Sequence, residues 1–223
     1  DSHTTYSLPS RAGLTDVLVT PNGVTGSRKQ PFGRALEFAH AAVRIVLKAR
    51  RTDNTVGKLY VKNLKLTVPA RLVCGGLKWD TGTKQYLAAP AAADLVINHS
   101  GQILSTEDTQ VAVFYLTPCS PADLLTDLTG TGGTPGLTLT ADVAKDINFT
   151  TGARNASFPI LDGNLNFMDQ FGSPATQLKG GESYETTLEF DIDSFTLEGE
   201  EKEWEDGGKM TVPVVVPAPT PGP

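Results

Sequence analysis

The stretch from Leu36 to Ala49 (LEFAHAAVRIVLKA) constrains the fold more than any other. Leu36 and Phe38 alternate with polar or small residues, Ala41-Ala42 shifts the phase, and Val43, Ile45 and Leu47 resume the alternation with Arg44 and Lys48 on the opposite parity. Period-two alternation with one extra residue predicts a long strand carrying a bulge, because the slip restores the apolar face after a local kink. A helix is the rival reading: Ala35, Phe38, Ala39, Ala42, Val46 and Ala49 share one helical face, and alanine favours helix. The stretch alone fits both. The flanks favour strand, since nearly everything downstream is β-patterned and a lone amphipathic helix would need a sheet to cover.

The 223 residues are enough for one large all-β domain or two small ones. The content of 22 Gly and 15 Pro suits a turn-rich β protein better than a helical bundle. A net charge of −6 argues against a general nucleic-acid binder, so no nucleic-acid partner is expected. Charge is segregated along the chain: residues 1–75 carry 12 Lys/Arg against 4 Asp/Glu, and the remainder 7 against 21. Either copies associate head to tail through opposite patches, or the charges mix in three dimensions as an ordinary solvated surface. No apolar run approaches the roughly 20 residues that span a bilayer as a helix. Cys74 and Cys119 are the only cysteines, and free, semi-buried thiols are expected ahead of a disulfide.

Residues 1–15 form an N-terminal segment with a short edge strand around Tyr6 and Leu8, then an exposed turn at Pro9–Gly13 in which Arg11 is a candidate protease-processing site. Asp16–Thr20 (DVLVT) is a short apolar strand. Lys58–Val68 repeats the device of the opening strand, alternating, slipping at Lys62-Asn63 and alternating again, so the two are expected to pair as a bent hairpin. Trp79–Tyr86 (WDTGTKQY) is a tight hairpin with flanking aromatics, and Asp94–Asn98 is a strand. Gln110–Leu116 (QVAVFYL) is apolar on both faces and is expected in the middle of a sheet. Pro121–Leu125 reads as a helical turn. Short strands or strand-like loop edges are expected at Leu137–Thr140, Ile147–Thr150 and Ser157–Leu161, and one long strand after Gly180-Gly181, slipping between Ile192 and Phe195. The sandwich is expected to span 16–208.

The segment 209–223 is a Pro-rich terminal strand or tail. Met210, Val212, Val214 and Val216 share one parity, while Pro213, Pro217, Pro219, Pro221 and Pro223 fall on the other. Successive residues of a strand point their N–H and C=O to opposite sides, so prolines of one parity strip donors from one edge only. The segment is suited to be an edge strand, given to its own sheet or to a neighbour's, or it is a plain Pro-rich linker.

No constellation for catalysis stands out, and no metal or cofactor is expected. His3, His40 and His99 are scattered, with no partner at metal-ligand spacing, and His40 reads as a hydrogen-bonded structural histidine. The Gly-rich run Gly130–Gly136 lacks the Lys-Ser/Thr of a phosphate loop. Asp191 and Asp193, and the acidic run Glu198–Asp206, read as solvated strand faces. Trp79, Tyr86, Phe167 and Phe171 are candidate ligand-stacking aromatics, as in a carbohydrate-binding β-sandwich.

The run Asp16-Val17-Leu18-Val19, followed by Leu36-Glu37-Phe38-Ala39-His40-Ala41-Ala42-Val43-Arg44-Ile45-Val46-Leu47, resembles the signature of the fimbrillin (Mfa-like) family of Bacteroidetes. Leu178–Tyr184 (LKGGESY), a following strand, and Trp204 with Asp206-Gly207 resemble its closing pattern. The resemblance covers roughly Asp16 to Gly208. The family carries a whole N-terminal domain before the Asp-Leu-Leu segment, so a truncated chain or a compact single-domain member is expected. The resemblance implies an all-β, transthyretin-like Greek-key β-sandwich with long bulged strands and a C-terminal edge strand. It also implies a lipoprotein-derived, non-enzymatic subunit or adhesin of a type V pilus, exported through the outer membrane to the cell surface. Its partners would be other pilus subunits and a host or bacterial surface glycan or protein. Assembly by strand exchange would make Arg11 the processing site and Met210, Val212, Val214 and Val216 the donor-strand residues.

Overall fold

The computed structural model describes residues 5–20, 37–51, 60–103, 106–124, 136–144, 146–150, 153–159, 178–190, 194–203 and 209–215. The fold is all-β, with one 3-10 turn at Pro121–Leu124 where the sequence predicted a helical turn. Two sheets form the body. The first has the order β11-β10-β5-β8, with β5 Tyr60–Val68, β8 Leu95–Ile103, β10 Thr138–Ala144 and β11 Arg154–Pro159. The second has the order β14-β13-β12-β4-β9, with β4 Val43–Arg51, β9 Thr109–Leu116, β12 Glu182–Phe190, β13 Ser194–Glu203 and β14 Lys209–Val215. Among the described residues, only the β4–β12 pairing is parallel.

One apolar cluster takes side chains from both sheets: Val43, Ile45, Leu47, Phe114, Tyr184, Leu188 and Phe190 from the second meet Val61, Leu64, Leu66, Ile103, Leu139 and Val143 from the first. Two sheets sharing one core make a β-sandwich. The chain passes from β4 to β5 and β8 in the facing sheet and returns as β9 beside β4, the Greek-key relation folded over two layers.

The alternation read from the sequence places the core residues correctly and the strand partners less so. In β5, Val61, Leu64, Leu66 and Val68 are buried while Lys62 and Lys65 face out. The slip at Lys62-Asn63 is real: Asn63 has φ +53°, and the pairings to β8 and β10 both step there. The opening stretch is broken rather than bulged. Ala39–His40 is a separate strand, β3, paired with β2 (Leu18–Val19), and β4 begins at Val43 in another sheet. The cause is a close crossing. A Cβ on Gly180 would lie 2.5 Å from the carbonyl oxygen of Ala41, and the Gly181 N–H donates to Ala42 at 3.0 Å, so small residues are needed on both chains. Leu36 lies outside the described residues.

Four other expectations change. β4 and β5 are not a hairpin; they lie in opposite sheets, because alternation specifies which face is buried and not which strand lies alongside. β9 is at the edge of its sheet, not its centre. Its two-faced apolar character arises because Phe114 and Leu116 enter the main core while Tyr115 packs on a second, smaller core of Val17, Ala42 and Cys74. Leu188 and Phe195 belong to two strands, β12 and β13, paired antiparallel with Phe190 opposite Phe195. Ile147–Thr150 is a turn built on Asp146, whose carboxylate accepts from the backbone N–H groups of Asn148 and Thr150.

Candidate functional site: the N-terminal strap, the aromatic hairpin and the terminal strand

A third, smaller sheet projects from the sandwich, with the order β1-β6-β7: β1 is Tyr6–Ser7, β6 is Cys74–Asp80 and β7 is Gln85–Pro90. The β6–β7 hairpin predicted at Trp79–Tyr86 is present, and its turn is held by Asp80, which accepts from the Thr83 N–H and hydroxyl at 2.7 Å each. Those bonds favour the ionised carboxylate and hold Asp80 below the usual carboxylate range.

The other edge of β6 is covered by the N-terminal segment. Tyr6 pairs with Leu77 and Ser7 with Gly76, the Leu8 N–H donates to Gly75 at 2.7 Å, and the Gly13 N–H donates to Cys74 at 2.7 Å. Gly13 in turn accepts from the Tyr115 N–H at 2.8 Å, tying the segment to β9. The close approach depends on Gly76, which has φ +148° and whose added Cβ would lie 1.9 Å from the Tyr6 carbonyl oxygen. Between Leu8 and Gly13 the chain makes a tight turn, in which Arg11 N–H donates to Leu8 and accepts from Leu14 through its carbonyl. Arg11 is exposed at the tip of this turn. The Gly75-Gly76 pair was the sequence signal for this docking, a diglycine inside a strand pattern that marks a close backbone approach.

The aromatics Trp79 and Tyr86 face one another across β6 and β7, ring centroids 5.2 Å apart at 72°. Tyr6 joins them from β1, 5.6 Å from Tyr86 at 59°, and is 56% exposed. Sequence reasoning missed Tyr6, since only the β1–β6 pairing brings it to the hairpin. The same face of the hairpin, at Leu77 and Ala88, packs onto the Val17, Ala42 and Cys74 core. Phe167 and Phe171 lie outside the described residues.

β14 is the outermost strand of the five-stranded sheet and, among the described residues, pairs with β13 alone. Met210, Val212 and Val214 lie opposite Gly199, Leu197 and Phe195; through β13, the last two are in register with the buried Leu188 and Phe190 of β12. Pro213 is opposite Thr196, and a proline keeps the ladder intact only where its missing N–H faces away from the partner strand. On that rule the parity of Pro213 is the open edge, and the even-numbered residues are the ones expected to bond to β13. Val216 lies outside the described residues.

His40 is hydrogen-bonded through Nδ1 to the Asp16 carboxylate, as expected of a structural histidine, and links β3 to the segment before β2. Cys74 and Cys119 are free and buried. Burial raises both thiols above their ordinary range, with Cys119 pushed up to about 12 by burial and then by the Asp123 carboxylate. Among the described residues, part of the charge asymmetry is paired within the chain. Lys48 reaches Glu185 and also Asp108 at 3.7 Å, Arg50 reaches Asp108 at 3.4 Å, and Arg71 reaches Asp123 at 3.8 Å. Basic strands of the front half thus pair with acidic groups of the rear half, as a solvated surface does.

No protein-family model matches the sequence, and no curated protein matches it. Among solved structures, a candidate cell adhesion protein from Bacteroides uniformis matches at 11% sequence identity and a TM-score of 0.38, over 77% of this chain and 54% of that one. The chain thus spans about half the length of the protein it matches, and so distant a likeness says nothing of function.

Proposed function

We propose that the chain is a non-enzymatic structural subunit or adhesin of a bacterial cell-surface pilus, assembling with other copies by β-strand exchange. The observation that carries this reading is β14. A strand at the extreme edge of its sheet, bonded on one side and bearing proline on the other parity, is a separable element with one usable edge. The N-terminal segment supplies the complementary half. Cleavage after the exposed Arg11 frees residues 1–11, β1 among them, and uncovers the β6 edge from Gly75 to Leu77. The terminal strand of the next copy then has a place to pair.

The fimbrillin resemblance at Asp16–Val19, Leu36–Leu47 and Leu178–Tyr184 supports the same role and a location at the outer surface of the cell. The test is electron microscopy and light scattering of the chain after arginine-specific cleavage, with and without residues 209–223. Rods or polymers that require both the cut and the tail support the proposal. Polymers formed by the chain lacking 209–223 refute strand exchange through β14.

A further inference from the structure

We propose that Tyr6, Tyr86 and Trp79 form a binding site for a pyranose oligosaccharide, and that the site exists only while β1 is docked. This goes beyond the assembly reading and does not depend on it. Three aromatic rings are held in contact at the outer end of the small sheet, and the most exposed of them, Tyr6, is fixed from behind by Tyr86 at 5.6 Å. Such a ring is already immobilised before any ligand arrives, so binding to it costs little further side-chain entropy.

The surroundings select the ligand. The two phenol hydroxyls and the indole N–H put polar groups on the rims of the rings themselves, and the Thr83-Lys84 turn that closes the hairpin beyond Trp79 and Tyr86 is exposed. Ring faces edged by their own hydroxyl and N–H groups suit a ligand with a C–H face and a hydroxyl rim. A pyranose has both, whereas an apolar peptide would leave the rim polar groups covered and unpaired. The rings are inclined at 59° and 72° to each other and form no flat strip, which limits the contact to one or two sugar units on Tyr6 and the edge of Trp79.

The chain order gives the site a condition. Tyr6 lies before Arg11, and Trp79 and Tyr86 lie far after it, so the cluster is assembled from both sides of the Arg11–Ala12 bond. Hydrolysis of that peptide bond, with water adding across it, leaves Tyr6 on an eleven-residue fragment held, among the described residues, by the β1–β6 pairing, Leu8 and the Tyr6–Tyr86 contact. Loss of the fragment removes the exposed ring.

The experiment titrates the uncut chain with cello-, malto-, chito- and xylohexaose, reading tryptophan fluorescence in a Trp204→Phe background and confirming by saturation-transfer NMR. A saturable change with at least one hexaose is expected. That response should fall about tenfold or more in affinity with Tyr6→Ala, persist with Tyr6→Phe, and vanish in the chain beginning at residue 12. No saturable change with any of the four sugars, or binding indifferent to Tyr6→Ala, overturns the proposal. Tyr6 is exposed and tolerates substitution, so the result does not depend on whether a Trp79 variant folds. Polymer formation is scored separately on the same samples. Sugar binding without polymers would sink the pilus reading alone, and polymers without sugar binding would sink this one alone.

Discussion

Gly76→Ala is the substitution that most sharply tests how the N-terminal segment is held. Its φ of +148° lies in a region reserved for glycine, and the new Cβ would meet the Tyr6 carbonyl oxygen at 1.9 Å and the Ser7 Cα at 2.9 Å. One partner has to move. β6 is anchored to β7 at six register positions and β1 to β6 at only two, so β1 yields. What is lost is a pair of ladder bonds, the Leu8–Gly75 hydrogen bond and the Tyr6–Tyr86 ring contact, together about 2–3 kcal/mol. At about 1.4 kcal/mol per factor of ten, the detached population rises roughly 30- to 150-fold. The scissile bond after Arg11 sits in a turn bonded at both ends, so a protease needs that detachment, and cleavage follows the open population when reclosing is fast. The assay is limited digestion with an arginine-specific protease, following by mass spectrometry the new N-terminus at Ala12. Gly82→Ala is the control, since its Cβ meets only the Asp80 carboxylate at 3.4 Å. A Gly76→Ala rate within about twofold of the parent chain would refute the docking argument, because twofold is far below the 1.4 kcal/mol step.

Further expectations follow from the packing. Phe114→Ala, at 1% exposure between the sheets, is expected to cost about 3–5 kcal/mol and lower the melting temperature by roughly 10 °C, read by thermal circular dichroism. Gly180→Ala sets a Cβ 2.5 Å from the Ala41 carbonyl and is expected to destabilise the crossing by about 1–3 kcal/mol in urea unfolding, whereas Lys179→Ala nearby is expected to stay within about 0.5 kcal/mol. Neither thiol is expected to react with a disulfide reagent at pH 8 until the chain is unfolded. The Cys119 proton is held more tightly by the folded chain, whose thiol is raised to about 12, than by the unfolded chain near 9.0. Its contribution to stability is therefore complete below pH 9 and lost as pH climbs from there towards 12, which denaturant melts across that range would show.

Faces were legible in the sequence, and neighbours were not. Alternation in Lys58–Val68 put Leu59, Val61, Leu64, Leu66 and Val68 on the apolar face and the slip at Lys62-Asn63, and all but Leu59, which lies outside the described residues, are found so, because a side chain's parity is a local property. Whether β5 lies beside β4 or across from it depends on contacts between distant segments, which no local pattern encodes. The same limit explains Tyr6. Trp79 and Tyr86 were visible as a hairpin pair, but the third ring comes from 73 residues upstream and depends on Gly75-Gly76 admitting a backbone. Ala41-Ala42 carried a signal that was read as a bulge or a helix; its meaning, room for the Gly180-Gly181 chain to cross, needed the partner segment. The charge asymmetry was legible as a number, but its pairing of Lys48 and Arg50 with Asp108 and Glu185 required the β4–β9 and β4–β12 registers.

The central claim is that the terminal strand of one copy pairs in the edge that β1 leaves on another, and it can be tested without forming a polymer. The chain lacking residues 209–223, cut after Arg11 and freed of the released fragment, is mixed with a synthetic peptide of residues 209–223 and weighed by native mass spectrometry. The truncated chain has its β13 edge open in both forms, so strand exchange requires two peptides on the cut chain, one on β13 and one on β6, and a single peptide on the uncut chain, whose β6 edge is still covered. One peptide on both forms would place it on β13 alone, and no binding to either would leave β14 as an ordinary edge strand; each result contradicts the claim.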